Sequence, residues 1–345
     1  MKSETETLVR FLNSFFYIYL PKQKCYSENT IESYRTAFNL FLDYMRERHQ
    51  CPLNSMTTDD LNKENLTGYM DWLLTERQNG LSTCNQRLMA FRSFAKYLGI
   101  KDFALLSVYA EVSGVPTKKT ASKVVEFLSE QGLKTLLAQP DTSKRIGIRN
   151  QCFMCLMYDA AARCQEMLDL RIKELSLSGA APFVYLTGKG NKTRAVPLMQ
   201  ATVEHIRNYL DIFHPNYDKQ SEEFLFYTTS HRDRHPMSRD AVQFFMKKYG
   251  KAAREICSDI PEQVHPHQLR HTRAIHLYRG GMPLSVLSEF MGHASMETTR
   301  VYAYADTEMK RNAIKKATPQ AIVNDEAPIW DTNDDDILRR LAGLR

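Results

Sequence analysis

The sequence has no apolar run long enough to cross a bilayer, and basic residues cut short even the aromatic stretch at 15–20. Residues 1–7 are acidic and polar, the wrong chemistry for a secretory signal. A soluble chain in the cytoplasm is the expectation. A disulfide framework is missing too: the seven cysteines are odd in number and scattered. Cys152 and Cys155 form a C-x-x-C pair, but inside the apolar run 152–158, with no second Cys or His pair at zinc-finger spacing. Buried thiols in a reducing compartment are expected there. No internal repeat and no low-complexity tract is present.

The charge is nearly balanced, with 46 Lys and Arg against 40 Asp and Glu, but its placement is uneven. Residues 118–315 hold 29 basic and 21 acidic side chains, whereas 1–117 hold 13 of each. Such an excess suits a phosphate-rich partner, and a solvated basic face is the plainer reading. A length of 345 residues, 43% of them hydrophobic, accommodates two domains.

Ile31, Tyr34, Phe38, Phe41 and Met45 recur at helical spacing, as do Leu88, Phe91, Ala95 and Leu98. Four or five helices are expected before Gly99, with their aromatics in the core. Thr57 and Asp60 have capping-box spacing, with Asp in place of the usual Glu. Ser113, Gly114, Pro116 and the basic run after them read as a linker. Beyond it helical patterns return, with one exception. Phe183, Val184, Tyr185 and Leu186 read as a strand, 188–191 as a turn, and Ala195, Val196, Pro197 and Leu198 as a second strand. This is a hairpin with Lys189 at its tip. The expected fold is mainly α with a small β-hairpin or sheet, in two domains.

Histidines gather at 265–276. A metal site of His265, His267, His271 and His276 is one reading, though no H-E-x-x-H arrangement supports it, and scattered surface histidines are another. If Pro266 opens a helix, His267 and Arg270 share one face. Farther on, Gly292-His293 is followed by Thr298-Thr299-Arg300-Val301-Tyr302.

Together these segments resemble the catalytic half of the tyrosine recombinases, the phage-integrase and Xer-like family. The resemblance extends to Ala162-Arg163-Cys164-Gln165-Glu166, to Gly188-Lys189-Gly190-Asn191-Lys192-Thr193-Arg194, and to residues 29–34 and 85–97 of the first third. Five blocks in family order span most of residues 8–315. Two departures stand out. Ala160-Ala161-Ala162 replaces the family's Thr-Gly-Leu, and Tyr304 stands where a His is common after the nucleophile. Tyr302 is preferred to Tyr304 as nucleophile for its spacing to His293 and the preceding Thr-Thr.

The resemblance implies a helical core-binding domain over 1–113, a linker over 114–122, a catalytic domain over 123–317 and a tail over 318–345. It implies transesterification of a DNA phosphodiester. A tyrosine hydroxyl is a weak nucleophile until activated. Attack builds negative charge that a bidentate guanidinium suits. Arg163 and Arg270 take that role, His293 is a further donor, His267 assists proton removal from Tyr302, and Lys189 protonates the leaving 5′ oxygen. No metal and no cofactor is called for. Lys118, Lys119, Lys192, Arg194 and Arg239 are expected on DNA phosphates, where contacts position without specifying sequence.

The implied partners are double-stranded DNA with inverted-repeat core sites, further copies of the chain in a tetramer, and accessory recombination proteins. In the tail, Asp334, Asp335 and Asp336 precede an apolar stripe of Ile337, Leu338, Leu341 and Leu344, expected to form a helix docked on a neighbouring subunit. Integration or excision of a mobile element is the leading role, with Xer-like chromosome dimer resolution nearest to it. A type IB topoisomerase shares the chemistry, and a DNA-binding regulator on an inactive scaffold shares only the fold.

Overall fold

The computed structural model describes residues 2–120, 125–188, 190–230, 233–293 and 295–305, together with 311, 314 and 339. Lys189, the acidic run at 334–336 and the apolar stripe of the tail lie outside the described residues. The chain divides into two compact units, 1–123 and 124–345.

The first unit contains α1 (Lys2–Ser14), which runs into a π-helical segment (Phe15–Gln23), then α2 (Glu28–His49), α3 (Lys63–Thr75), α4 (Leu81–Lys101) and α5 (Leu106–Ser113). The aromatic stripes pack inward as their spacing dictates. Phe38 meets Phe91 at 4.5 Å between ring centroids, and Phe41 meets Tyr69 edge-on at 5.3 Å. The buried Tyr69 hydroxyl donates to the Ala37 carbonyl at 2.9 Å, so its polar end is satisfied.

The Thr57–Asp60 box forms, with the carboxylate accepting from the Thr57 amide at 2.7 Å. It caps only a short 3₁₀ turn (Thr58–Asp60), because Asn62 starts α3 by accepting from the Asn65 amide at 2.9 Å. Part of the expected linker is folded onto this unit. Val115 is buried, Arg92 donates to its carbonyl at 2.6 Å, and the Lys118 backbone exchanges two bonds with the Asn85 side chain at 2.8 and 2.9 Å.

The second unit runs α6 (Glu130–Leu137), α7 (Arg145–Asp159), α8 (Cys164–Asp169), β1 (Leu175–Ser176), β2 (Phe183–Gly188), β3 (Lys192–Pro197), α9 (Gln200–Phe213), β4 (Tyr227–Ser230), β5 (Asp233–Pro236), α10 (Arg239–Ile256), α11 (Pro266–Arg279), α12 (Leu284–Met291) and α13 (Glu297–Ala305). The hairpin is antiparallel in the order β1-β2-β3, with Gly188 opposite Lys192. Gly190 and Asn191 take φ of +79° and +57°, the left-handed region that Gly and Asn reach most easily. The β4–β5 pair is an addition to the expected fold.

Helix α7 is buried along 152–157, including both C-x-x-C thiols. Burial pushes the Cys155 thiol up to about 12, with the Asp159 carboxylate adding to it, and raises Cys152 as well. Both remain protonated packing residues. Near the start of α7, a Cβ on Gly147 would stand 1.9 Å from the Asp141 carbonyl oxygen. The obstacle is backbone, so it cannot swing aside. We expect Gly147→Ala to lose about 1–3 kcal/mol or more of stability. Gly80→Ala, where a Cβ meets nothing within 4 Å, is the control. Equal melting temperatures for the two variants would contradict this packing.

Candidate active site

The site is built where α7 ends. Ala160, Ala161 and Ala162 are fully buried, and Ala161 takes a φ of +45°, turning the chain sharply into α8. Arg163 becomes the N-cap of α8 and Glu166 its third residue. The Arg163 amide donates to one carboxylate oxygen at 2.8 Å, and its guanidinium donates to the other at 2.7 Å. Arg194, on β3, donates to both oxygens at 3.0 and 2.8 Å. Arg270, on α11, comes within 4.0 Å. Burial alone would raise the Glu166 pKa, but Arg194 first and Arg163 after it outweigh burial and hold it down to about 2.

Helix α11 opens on Pro266, and the His265 amide donates to Gln268 Oε1 at 3.3 Å. One turn in, Arg270 is buried and donates to the Ala161 carbonyl at 2.5 Å and the Met291 carbonyl at 2.6 Å. Burial lowers its pKa to about 9, which leaves it charged at neutral pH.

The end of α12 gathers all three arginines. A helix C-terminus leaves carbonyls without intrahelical partners and carries partial negative charge. Here Arg194 Nε donates to the Phe290 carbonyl at 3.1 Å, Arg270 to Met291, and Arg163 to Gly292 at 3.1 Å. Gly292 has φ +61°, and a Cβ on it would sit 2.8 Å from the Arg194 guanidinium. Glycine is therefore required twice over, by backbone and by space.

His293 follows immediately. Its Nδ1 lies 2.8 Å from the hydroxyl of the buried Thr299, and its ring stacks on Tyr302 at 6.4 Å between centroids. Burial, then the Arg270 and Arg163 cations, push its pKa down to about 4. Tyr302, on α13, is 2% exposed. Burial raises its phenol pKa while Arg270 and Arg163 oppose the rise, so at neutral pH the hydroxyl keeps its proton. That hydroxyl lies 2.9 Å from His271 Nδ1. His267 opens to solvent, and its ring meets His271 edge-on at 4.6 Å. Burial of its ring atoms, with Arg270 next, lowers its pKa.

The structure thus brings Arg163, Arg270, His293 and Tyr302 together, with His267 one ring away. Three residues were not given these places from sequence. Thr299 orients His293. His271 had been read as a metal-ligand candidate or a surface histidine and was given no catalytic role, although its spacing of four from His267 puts both on one helix face. Arg194 was expected on a phosphate; here it is largely buried, and Nε and both terminal nitrogens donate to Glu166 and Phe290. Of the other basic residues, Lys118 pairs with Asp71 at 2.8 Å, Arg239 donates to Gln165 at 2.9 Å, and Lys119 and Lys192 are exposed.

The four histidines of the metal reading do not converge. His276 is held by the Tyr158 hydroxyl at 2.9 Å and the Leu128 carbonyl at 3.1 Å, while His271 faces Tyr302.

Comparison with known proteins identifies the family. The sequence profile described as the phage integrase family matches residues 126–309, and that of the phage integrase N-terminal SAM-like domain matches 14–100. The tyrosine recombinase XerD of Staphylococcus aureus is 27% identical over 302 residues, 87% of this chain and 95% of its own. Among solved structures, the XerH site-specific recombinase bound to palindromic difH substrate is similar with a TM-score of 0.61 at 20% identity, covering 84% of this chain and 80% of its own. The Tn1549 transposon integrase in complex with a circular intermediate DNA gives 0.64 at 16%, covering 88% and 98%. These two likenesses are of fold. With both family domains present, and with a tyrosine set among arginines and histidines in the second unit, the chain belongs to the phage integrase family, the tyrosine-type site-specific DNA recombinases.

Proposed function

We propose that this recombinase cuts double-stranded DNA at inverted-repeat core sites by attack of Tyr302 on the scissile phosphorus. The products are a 3′-phosphotyrosyl link and a free 5′ hydroxyl. The convergence of the Tyr302 phenol with Arg163, Arg270 and His293 carries this reading. Two fixed guanidiniums suit the non-bridging oxygens, with His293 as a further donor, and electrostatics held in place before reaction cost no reorganisation during it. Because the phosphotyrosyl ester conserves the energy of the bond it replaces, a 5′ hydroxyl reseals the strand without ATP. Strand exchange joins four ends, so the working form is a tetramer. Integration or excision of a mobile element is the role assigned. The likeness to XerD along 95% of that protein favours dimer resolution as the second reading.

The test uses nicked duplexes cut from the DNA flanking the gene, with EDTA present. A denaturant-resistant protein–DNA adduct supports the reading, and a strict need for a divalent ion contradicts it. Strand exchange between two labelled duplexes separates a recombinase from a topoisomerase.

Lys189 is assigned as the acid for the leaving oxygen, by its place in the hairpin block of the family. Its neighbour Gly188 is set against the site, since a Cβ there would lie 2.9 Å from Glu166 Oε1. Lys189→Ala is expected to slow cleavage by about 10²–10⁴-fold. A 5′-thio leaving group, which needs little protonation, should restore most of the rate. Absence of rescue transfers the role to another residue, with Lys192 next in line.

A further inference from the structure

We propose that His271 is a catalytic residue, the base that takes the Tyr302 proton, in place of His267. The proposal rests on Tyr302 as nucleophile. The observation behind it is contact. The Tyr302 hydroxyl lies 2.9 Å from His271 Nδ1, within the reach a general base needs, and among the described residues His271 is the histidine within hydrogen-bonding distance of that oxygen. His293 is turned to Thr299 by its Nδ1, and His267 touches the phenol only through His271.

Protonation states agree with the geometry. His271 faces His265, His267 and Arg270 on its own helix, and His293 and Tyr302 from the segments packed against it. Burial, then these neighbouring histidines and Arg270, push its pKa down to about 4, so at neutral pH it is an unprotonated imidazole. With the Nε2–H tautomer, Nδ1 accepts from the phenol. In the step itself the Tyr302 oxygen forms the bond to phosphorus, its proton passes to Nδ1, and the bond from phosphorus to the 5′ oxygen breaks with that oxygen taking a proton from Lys189. An imidazolium forms beside a phosphate gathering negative charge, which favours it. The edge-on His267 ring then orients His271.

The test compares His271→Asn and His267→Asn in the full chain, on a 5′-thio substrate so that leaving-group protonation drops out. Asparagine keeps an acceptor near the phenol but cannot take its proton. Each variant is made with Tyr302 and with 3,5-difluorotyrosine at 302, whose phenol is more acidic. We expect His271→Asn to cleave about 10²-fold slower or worse with tyrosine, and the deficit to shrink at least tenfold with the fluorinated phenol. The fall in rate on the acidic side of the pH profile, where His271 takes up a proton, should disappear in the same variant. A wild-type rate in His271→Asn overturns the proposal. So does a deficit equal for both phenols, which marks a merely positioning role. The fluorine effect appearing in His267→Asn instead returns the base to His267. If the unsubstituted protein forms no adduct through Tyr302, the reading of the whole site falls, and the proposal with it.

Discussion

Tyr302→Phe eliminates the covalent protein–DNA adduct and leaves DNA binding intact. The substitution removes one oxygen and nothing else. The ring it retains is enclosed, at 2% exposure, and stacked beside His293, so the volume of the site is unchanged. What the fold loses is the bond to His271, worth about 0.5–1.5 kcal/mol at most. A stable protein that binds but cannot link is therefore the expected outcome, read by denaturing gel beside a native mobility shift. An adduct that survives in Tyr302→Phe and disappears in Tyr304→Phe would move the nucleophile two residues along α13.

The largest expected effect on stability belongs to Glu166→Gln. The carboxylate accepts four hydrogen bonds, two from Arg163 and two from Arg194, and stands 4.0 Å from Arg270. Glutamine offers one oxygen, points an NH₂ group at cations that are themselves donors, and removes the counter-charge from a buried guanidinium. Breaking a buried pair in this way costs about 3–5 kcal/mol. Cleavage should fall with it, by about 10²-fold, because Arg163 and Arg194 no longer hold the loop that carries His293.

Acidity provides an independent check on Glu166. Its folded pKa of about 2 lies below its ordinary value of 4.5. The contribution is therefore present in full above the ordinary value and is lost as pH falls from there through about 2. The gap in stability between the unsubstituted protein and Glu166→Gln should narrow between pH 7 and pH 3. A gap of constant size would show that Glu166 is not the ionised hub described above.

Much of this site is legible in one dimension because its chemistry needs particular residue types. Arg163, Arg270, His293 and Tyr302 stand in blocks whose order is itself informative, and the hairpin announces itself by a Gly-Asn turn between apolar strands. What stayed hidden depends on partners chosen in space. Nothing in the spacing of Lys192, Thr193 and Arg194 says that the arginine turns inward to the end of α12 and to Glu166, rather than outward to a phosphate. His271 looked like one histidine among several until α13 laid Tyr302 against it. Strand β5 escaped because Asp233, Arg234, His235 and Pro236 are all exposed, so it lacks the alternation that marks a half-buried strand. That Lys118 bonds back to the first unit was not legible, because its backbone and the Asn85 side chain are 33 residues apart in sequence.

The meeting of three arginines on one carboxylate also sets an electrical balance. Arg163, Arg194 and Arg270 contribute three positive charges and Glu166 one negative, while His271 and His293, with pKa values near 4, contribute none at neutral pH. Among the described residues the pocket therefore carries a surplus of two. A phosphodiester brings one negative charge and halves that surplus. The five-coordinate phosphorus reached during attack carries two, and His271 becomes an imidazolium as it takes the phenol proton. Total charge is conserved through the step, but opposite charges of greater size stand side by side at the top of the barrier, which is the condition for holding the transition state more tightly than the intact strand.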